Sequence, residues 1–88
     1  MTEKQTYIEF PCHFPIKIIG TNTVQFKVEI TTIINKHFPA TKEDAIACKD
    51  SQNGNYLSIT ATVYVVDKPS LDALYHELTQ HPATKMVL

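Results

Sequence analysis

Tyr56-Leu57-Ser58-Ile59-Thr60-Ala61-Thr62-Val63-Tyr64-Val65-Val66 is the stretch that decides the fold. Leu57, Ile59, Ala61, Val63 and Val65 fall on one side, and Tyr56, Ser58, Thr60, Thr62 and Tyr64 on the other. Strict alternation of this length predicts a strand with one buried face, placed centrally in a sheet. Upstream, Ser51-Gln52-Asn53-Gly54-Asn55 reads as a turn, and Asn-Gly is the strongest hairpin signal in the chain. The strand before it is expected over residues 42–50, with Ile46 and Cys48 inward and Ala47 and Lys49 on the other side. Its short, charged character suits a sheet edge.

Downstream, Asp67 is placed to cap a helix that has Pro69 in its first turn. Leu71, Leu74, Tyr75 and Leu78 form its apolar stripe, and His81-Pro82 ends it. Residues 83–88 read as a last strand. At the other end of the chain, residues 14–20 alternate, with Phe14, Ile16 and Ile18 inward. Gly20 closes that strand. Thr21-Asn22-Thr23 then marks a helix start, where Asn22 and Gln25 have capping-box spacing. Phe26, Ile30, Ile33, Ile34 and His37 share one helical face, and Phe38-Pro39 stops the helix. Residues 1–9 are polar and read as a mobile tail before a single domain spanning 10–88.

The order β-α-β-β-α-β predicts an α+β, ferredoxin-like split βαβ sandwich. Its antiparallel sheet is expected in the order 4-1-3-2, with both helices on one face. The other face is then open to solvent or to a partner.

Size and charge narrow the function classes. Eighty-eight residues make one domain rather than two. No stretch approaches the roughly 20 apolar residues needed to cross a bilayer. The polar start lacks a secretory h-region, which points to a cytoplasmic protein. The net charge is −1 and every basic residue apart from the histidines is lysine. Without arginine the chain lacks the usual bidentate grip on phosphate. This argues against phosphoryl transfer, against acylphosphatase-type chemistry and against sequence-specific DNA readout. Cys12 and Cys48 are expected to be free, buried thiols.

The sequence also resembles a known family. The run Phe10-Pro11-Cys12-His13-Phe14-Pro15-Ile16-Lys17, the segment Gly54-Asn55-Tyr56-Leu57-Ser58-Ile59-Thr60, and Leu74-Tyr75-His76-Glu77-Leu78 through His81-Pro82 to Met86-Val87-Leu88 are similar to the YbeD-like bacterial family. The likeness covers residues 8–88. It implies an ACT-like domain of bacterial cytosolic origin and, through the label "lipoate regulatory protein" on some members, a link to lipoate metabolism. It brings no catalytic residues. ACT domains usually carry Asp and a Pro-Gly pair after their first strand, where this chain has Gly20-Thr21-Asn22-Thr23.

Two candidate regions follow. Gly20, Thr21, Asn22 and Thr23, with His81 at the same end of the sheet, could present amides to an anionic metabolite. Lys17, Tyr56, Thr60, Tyr64 and Lys85 are expected on the open face, as a contact surface for a protein partner or a second copy. An aromatic and basic sheet face is also how small RNA-binding domains work. The histidines and cysteines lack the repeated short spacing of zinc ligands, so neither a metal nor a cofactor is expected. Cys12, His37 and Asp67 would share one end of the sheet, the one grouping with nucleophile, base and acid. The expectation is nevertheless a non-enzymatic module.

Overall fold

The computed structural model describes residues 9–88. The expected tail, apart from Glu9, lies outside the described residues. The elements are β1 (Cys12–Thr21), α1 (Val24–His37), a 3₁₀ turn (Glu43–Ala45), β2 (Ile46–Asp50), β3 (Tyr56–Val65), α2 (Lys68–Gln80) and β4 (Thr84–Val87). The strands form one sheet in the order β2-β3-β1-β4, every neighbouring pair antiparallel. This is the expected ferredoxin-like order read from its other edge.

Register sorts the side chains. Ile16 pairs with Ala61, Ile18 with Ile59 and Phe14 with Val63. All of these except Phe14 are fully buried, under Phe26, Ile30 and Ile34 of α1 and Leu71, Leu74 and Leu78 of α2. Both helices therefore cover one face, and the apolar periods of strand and helix meet in one core. The opposite face carries His13, Pro15, Lys17 and Ile19 from β1 beside Tyr64, Thr62, Thr60 and Ser58 from β3.

β1 starts two residues earlier than the alternation predicts, at Cys12. Pro15 sits inside it, paired with Thr62. A proline donates no hydrogen bond and is normally excluded from a strand flanked on both sides. Here the missing donor faces the side of β4. Lys17 N–H donates to Leu88 O at 3.2 Å on that side, and backbone groups two residues apart point the same way. At Pro15, β1 has already run past the paired part of β4.

β2 is shorter than the expected 42–50. Ala45 N–H donates to Lys42 O at 3.0 Å, which closes a turn before the strand begins at Ile46. Cys48 pairs with Ile59 and so lies on the helix side, yet it is exposed, and Cys12 is only half-buried. The expected burial of the two free thiols fails because Cys48 sits on the outermost strand and Cys12 at the sheet's end. The helix ends follow their caps. Thr23 Oγ1 accepts from Phe26 N–H at 3.0 Å, and Asp67 Oδ1 accepts from Ser70 N–H at 3.0 Å. The α1 cap is thus Thr23, not Asn22. No helix among the described residues is long and apolar enough to cross a membrane.

Candidate functional site

The first candidate region is built around Gly20. The Phe26 ring lies against this glycine, and a Cβ there would come within 2.5 Å of Ala83 O and closer still to the Phe26 ring. Glycine is needed here for close approach. The neighbouring amides are committed within the fold. Thr21 N–H donates to Ala83 O (3.1 Å), Asn22 N–H to Asn55 O (3.3 Å) and Thr23 N–H to Thr21 O (2.9 Å). Asn22 also reaches across the sheet end, its Nδ2 donating to Gly54 O at 2.9 Å, with Asp50 Oδ1 3.4 Å away. The loop therefore ties β1 and α1 to the β2–β3 hairpin.

His81 is brought to the same end, as expected, but its imidazole is engaged. Nδ1 accepts from Ala83 N–H at 3.1 Å, which leaves the proton on Nε2, and Nε2 donates to Glu29 Oε1 at 2.6 Å. Gln25 Nε2 donates to the other Glu29 oxygen at 2.9 Å. These bonds, Gln25 first and His81 second, hold the Glu29 carboxyl below its ordinary range. A shallow cavity of about 410 Å³ lies over Thr23, Phe26, Glu29 and His81. Glu29 puts a carboxylate there, which is the wrong sign for an anion.

At the far end of the helix layer a second pair repeats the chemistry. His37 Nε2 lies 2.8 Å from Glu77 Oε1, and Lys36 Nζ lies 3.2 Å from the same carboxylate. Glu77 is held low, chiefly by His37 and then by Lys36. Asp67 is spent on its cap, where Ser70 lowers its pKa. His37 and Asp67 thus have other partners, and the Cys12, His37 and Asp67 grouping is not assembled. A cavity of about 430 Å³ beside His37, Phe38 and Tyr64 marks that end of the sheet. Among the described residues no cluster of three or more His, Cys, Asp or Glu is placed to hold a metal ion.

The second candidate region is the open face. Lys17 pairs with Thr60, Tyr56 with Thr21 and Tyr64 with His13, so four of the five predicted residues share it. The rings of His13 and Tyr64 stack at a tilt, with centroids 4.9 Å apart. Lys85 falls in a bulge. β4 pairs Met86 with Ile19 and Thr84 with Gly20, so the paired outward residue of that strand is Met86. Sequence alternation did mark Lys49, which pairs with Ser58 on this face. It gave no sign that Ile19 and Met86 would be neighbours, or that Glu29 and Glu77 would fasten the two histidines.

A concavity of about 480 Å³ lies between Lys17, Ile19, Lys49, Tyr56 and Ser58. Tyr56 (47 % exposed), Tyr64 (50 %) and Met86 (51 %) stand out from an otherwise Thr- and Lys-rich surface. Such partly exposed aromatics are the side chains most enriched at protein contacts.

The comparisons with known proteins agree on family and fold. Residues 5–88 match the model of the family described as protein of unknown function DUF493. A UPF0250 protein of Chromobacterium violaceum is 40 % identical over 86 residues, covering 98 % of this chain and 97 % of its own. The UPF0250 protein of Nitrosomonas europaea is 38 % identical over 88 residues, covering all of both chains. Among solved structures, the crystal structure of the ACT domain from GTP pyrophosphokinase of Chlorobium tepidum superposes with a TM-score of 0.68 at 20 % identity. It covers 88 % of this chain and 97 % of that one. The C-terminal domain of the MgtC protein from Mycobacterium tuberculosis gives 0.72 at 15 % identity, covering 93 % and 89 %. At these identities the structures establish an ACT-like fold.

Proposed function

The chain belongs to the DUF493 family of UPF0250 proteins, and we propose that it is a non-enzymatic, ACT-like interaction module of the bacterial cytoplasm that binds a protein through its open sheet face. One observation carries this reading. The helices cover one side of the sheet, and the other side presents Tyr56, Tyr64 and Met86, each about half exposed. The use of Asp67 as a helix cap, away from the nucleophile–base–acid grouping with Cys12 and His37, supports a role without catalysis. The ACT domain of GTP pyrophosphokinase is part of an enzyme, which favours a regulatory setting for the same fold here.

Light scattering after gel filtration, together with affinity capture from a bacterial extract, tests the proposal. The expected result is a defined stoichiometric assembly, with a captured protein or with a second copy. A strict monomer at high micromolar concentration that captures nothing would sink it.

A further inference from the structure

We propose that the open sheet face docks an acidic segment of a different protein, with a carboxylate seated between Lys17 and Lys49 beside Tyr56. This rests on the interaction-module reading and adds the chemistry of the partner.

The register fixes the charge on this face. The outward, paired positions of the four strands carry Lys17, Lys49 and His13, and no Asp or Glu. The chain as a whole has one more carboxylate than lysine, so its acids are concentrated elsewhere. Several lie in the helix layer, where Glu77 pairs with Lys36, Asp72 with Lys68, and Glu29 with His81. Lys17 and Lys49 have no carboxylate partner among the described residues. Among the described residues, two cations are thus left without an ion-pair partner on the one face that no helix covers, with Asp50 at the edge of their cavity.

Their placement suits one occupant. Lys17 lies on β1 and Lys49 on β2, on either side of Ser58 and Thr60 in β3. The two flanking strands are about 10 Å apart, a gap that two lysine side chains can close over a shared carboxylate. Ile19 and Tyr56 supply an apolar floor and wall. The carboxylate at the rim, Asp50, is placed 3.4 Å from Asn22 Nδ2.

Charge also separates the competing occupants. In a twofold dimer through this face, the same patch meets itself. The outward paired positions of the second copy again offer lysines and no carboxylate, so Lys17 and Lys49 would gain no opposite charge there, whereas an acidic segment supplies one. An RNA strand needs aromatic rings spaced for neighbouring bases. Tyr56 and Tyr64 are eight residues apart on one strand, roughly 26 Å.

The test titrates the ¹⁵N-labelled chain at low salt with poly-L-glutamate, polyuridylate and poly-L-lysine, in wild type and in Lys17→Glu/Lys49→Glu. Poly-L-glutamate is expected to shift the amides of Lys17, Ile19, Lys49, Ser58 and Thr60, and its apparent affinity to fall about tenfold or more in the variant. Shifts confined to the helices, no shifts, or tighter binding of polyuridylate at this face would overturn the proposal. Affinity capture with the same pair separates it from the broader reading. A partner lost by the variant supports acidic docking. A partner retained in equal yield by both overturns acidic docking and leaves the interaction module standing, whereas a wild type that is monomeric and captures nothing ends both.

Discussion

At the scale of single residues, the two glycines do different work. Gly20 has a backbone any residue could adopt, and it is needed because the Phe26 ring and Ala83 O leave no room for a Cβ. Gly54 has open space around it but a φ of 76°, a left-handed conformation that L side chains avoid. Gly20→Ala is therefore expected to lose about 1–3 kcal/mol by overpacking, and Gly54→Ala about 1 kcal/mol by backbone strain. Urea denaturation of both checks this, and an unchanged midpoint for Gly20→Ala would contradict the packing account. Gly54 was legible in the sequence, since Asn-Gly announces a turn. Gly20 was read as a strand end and an amide donor, because nothing local announces Phe26 and Ala83 converging on it. Asn22 was misread for a similar reason. Its side chain resembles a cap, yet its acceptor lies 32 residues away on the hairpin.

Helices α1 and α2 are fastened by Glu29–His81 at one end and His37–Glu77 at the other. Both carboxyls are held below the ordinary 4.5. A carboxyl with a depressed folded pKa stabilises the protein above its unfolded pKa, and that stabilisation is lost as pH falls through the folded value. The two pairs should therefore make the wild type lose thermal stability below about pH 4.5. The Glu29→Gln/Glu77→Gln variant should start lower at neutral pH and decline less in the same interval. Tm measured at pH 7, 5, 4 and 3 for both proteins decides it. Parallel curves would show that the pairs contribute nothing. The helices themselves were readable, because Phe26, Ile30 and Ile34, and Leu71, Leu74 and Leu78, keep the 3.6-residue period. The pairs between them were not, since a single sequence carries no signal for a contact 40 or 52 residues away. Strand ends were less legible than helix ends. Pro15 was already inside the expected strand, and what local alternation missed was Cys12 and His13, which join β1 only by pairing with Val65 and Tyr64.

For the whole molecule, the β-α-β-β-α-β order was legible because each apolar period changes from two to 3.6 at a turn or cap signal. That order implies an uncovered sheet face, and alternation along residues 56–66 already placed Tyr56, Thr60 and Tyr64 there. Its charge was less visible, because Lys17 and Lys49 become neighbours across β3 only once the register is known. A rival surface exists on α1, where Val24 (78 %) and Val28 (56 %) stand one helical turn apart and exposed. The most direct test of an open-face contact is quantitative affinity capture with wild type, Tyr56→Ala/Tyr64→Ala and Val24→Ser/Val28→Ser, each checked for a near-wild-type Tm. The tyrosine variant should lose the captured protein and the valine variant should keep it. Retention by the tyrosine variant, with loss by the valine variant, would move the contact to the helix layer and contradict the account.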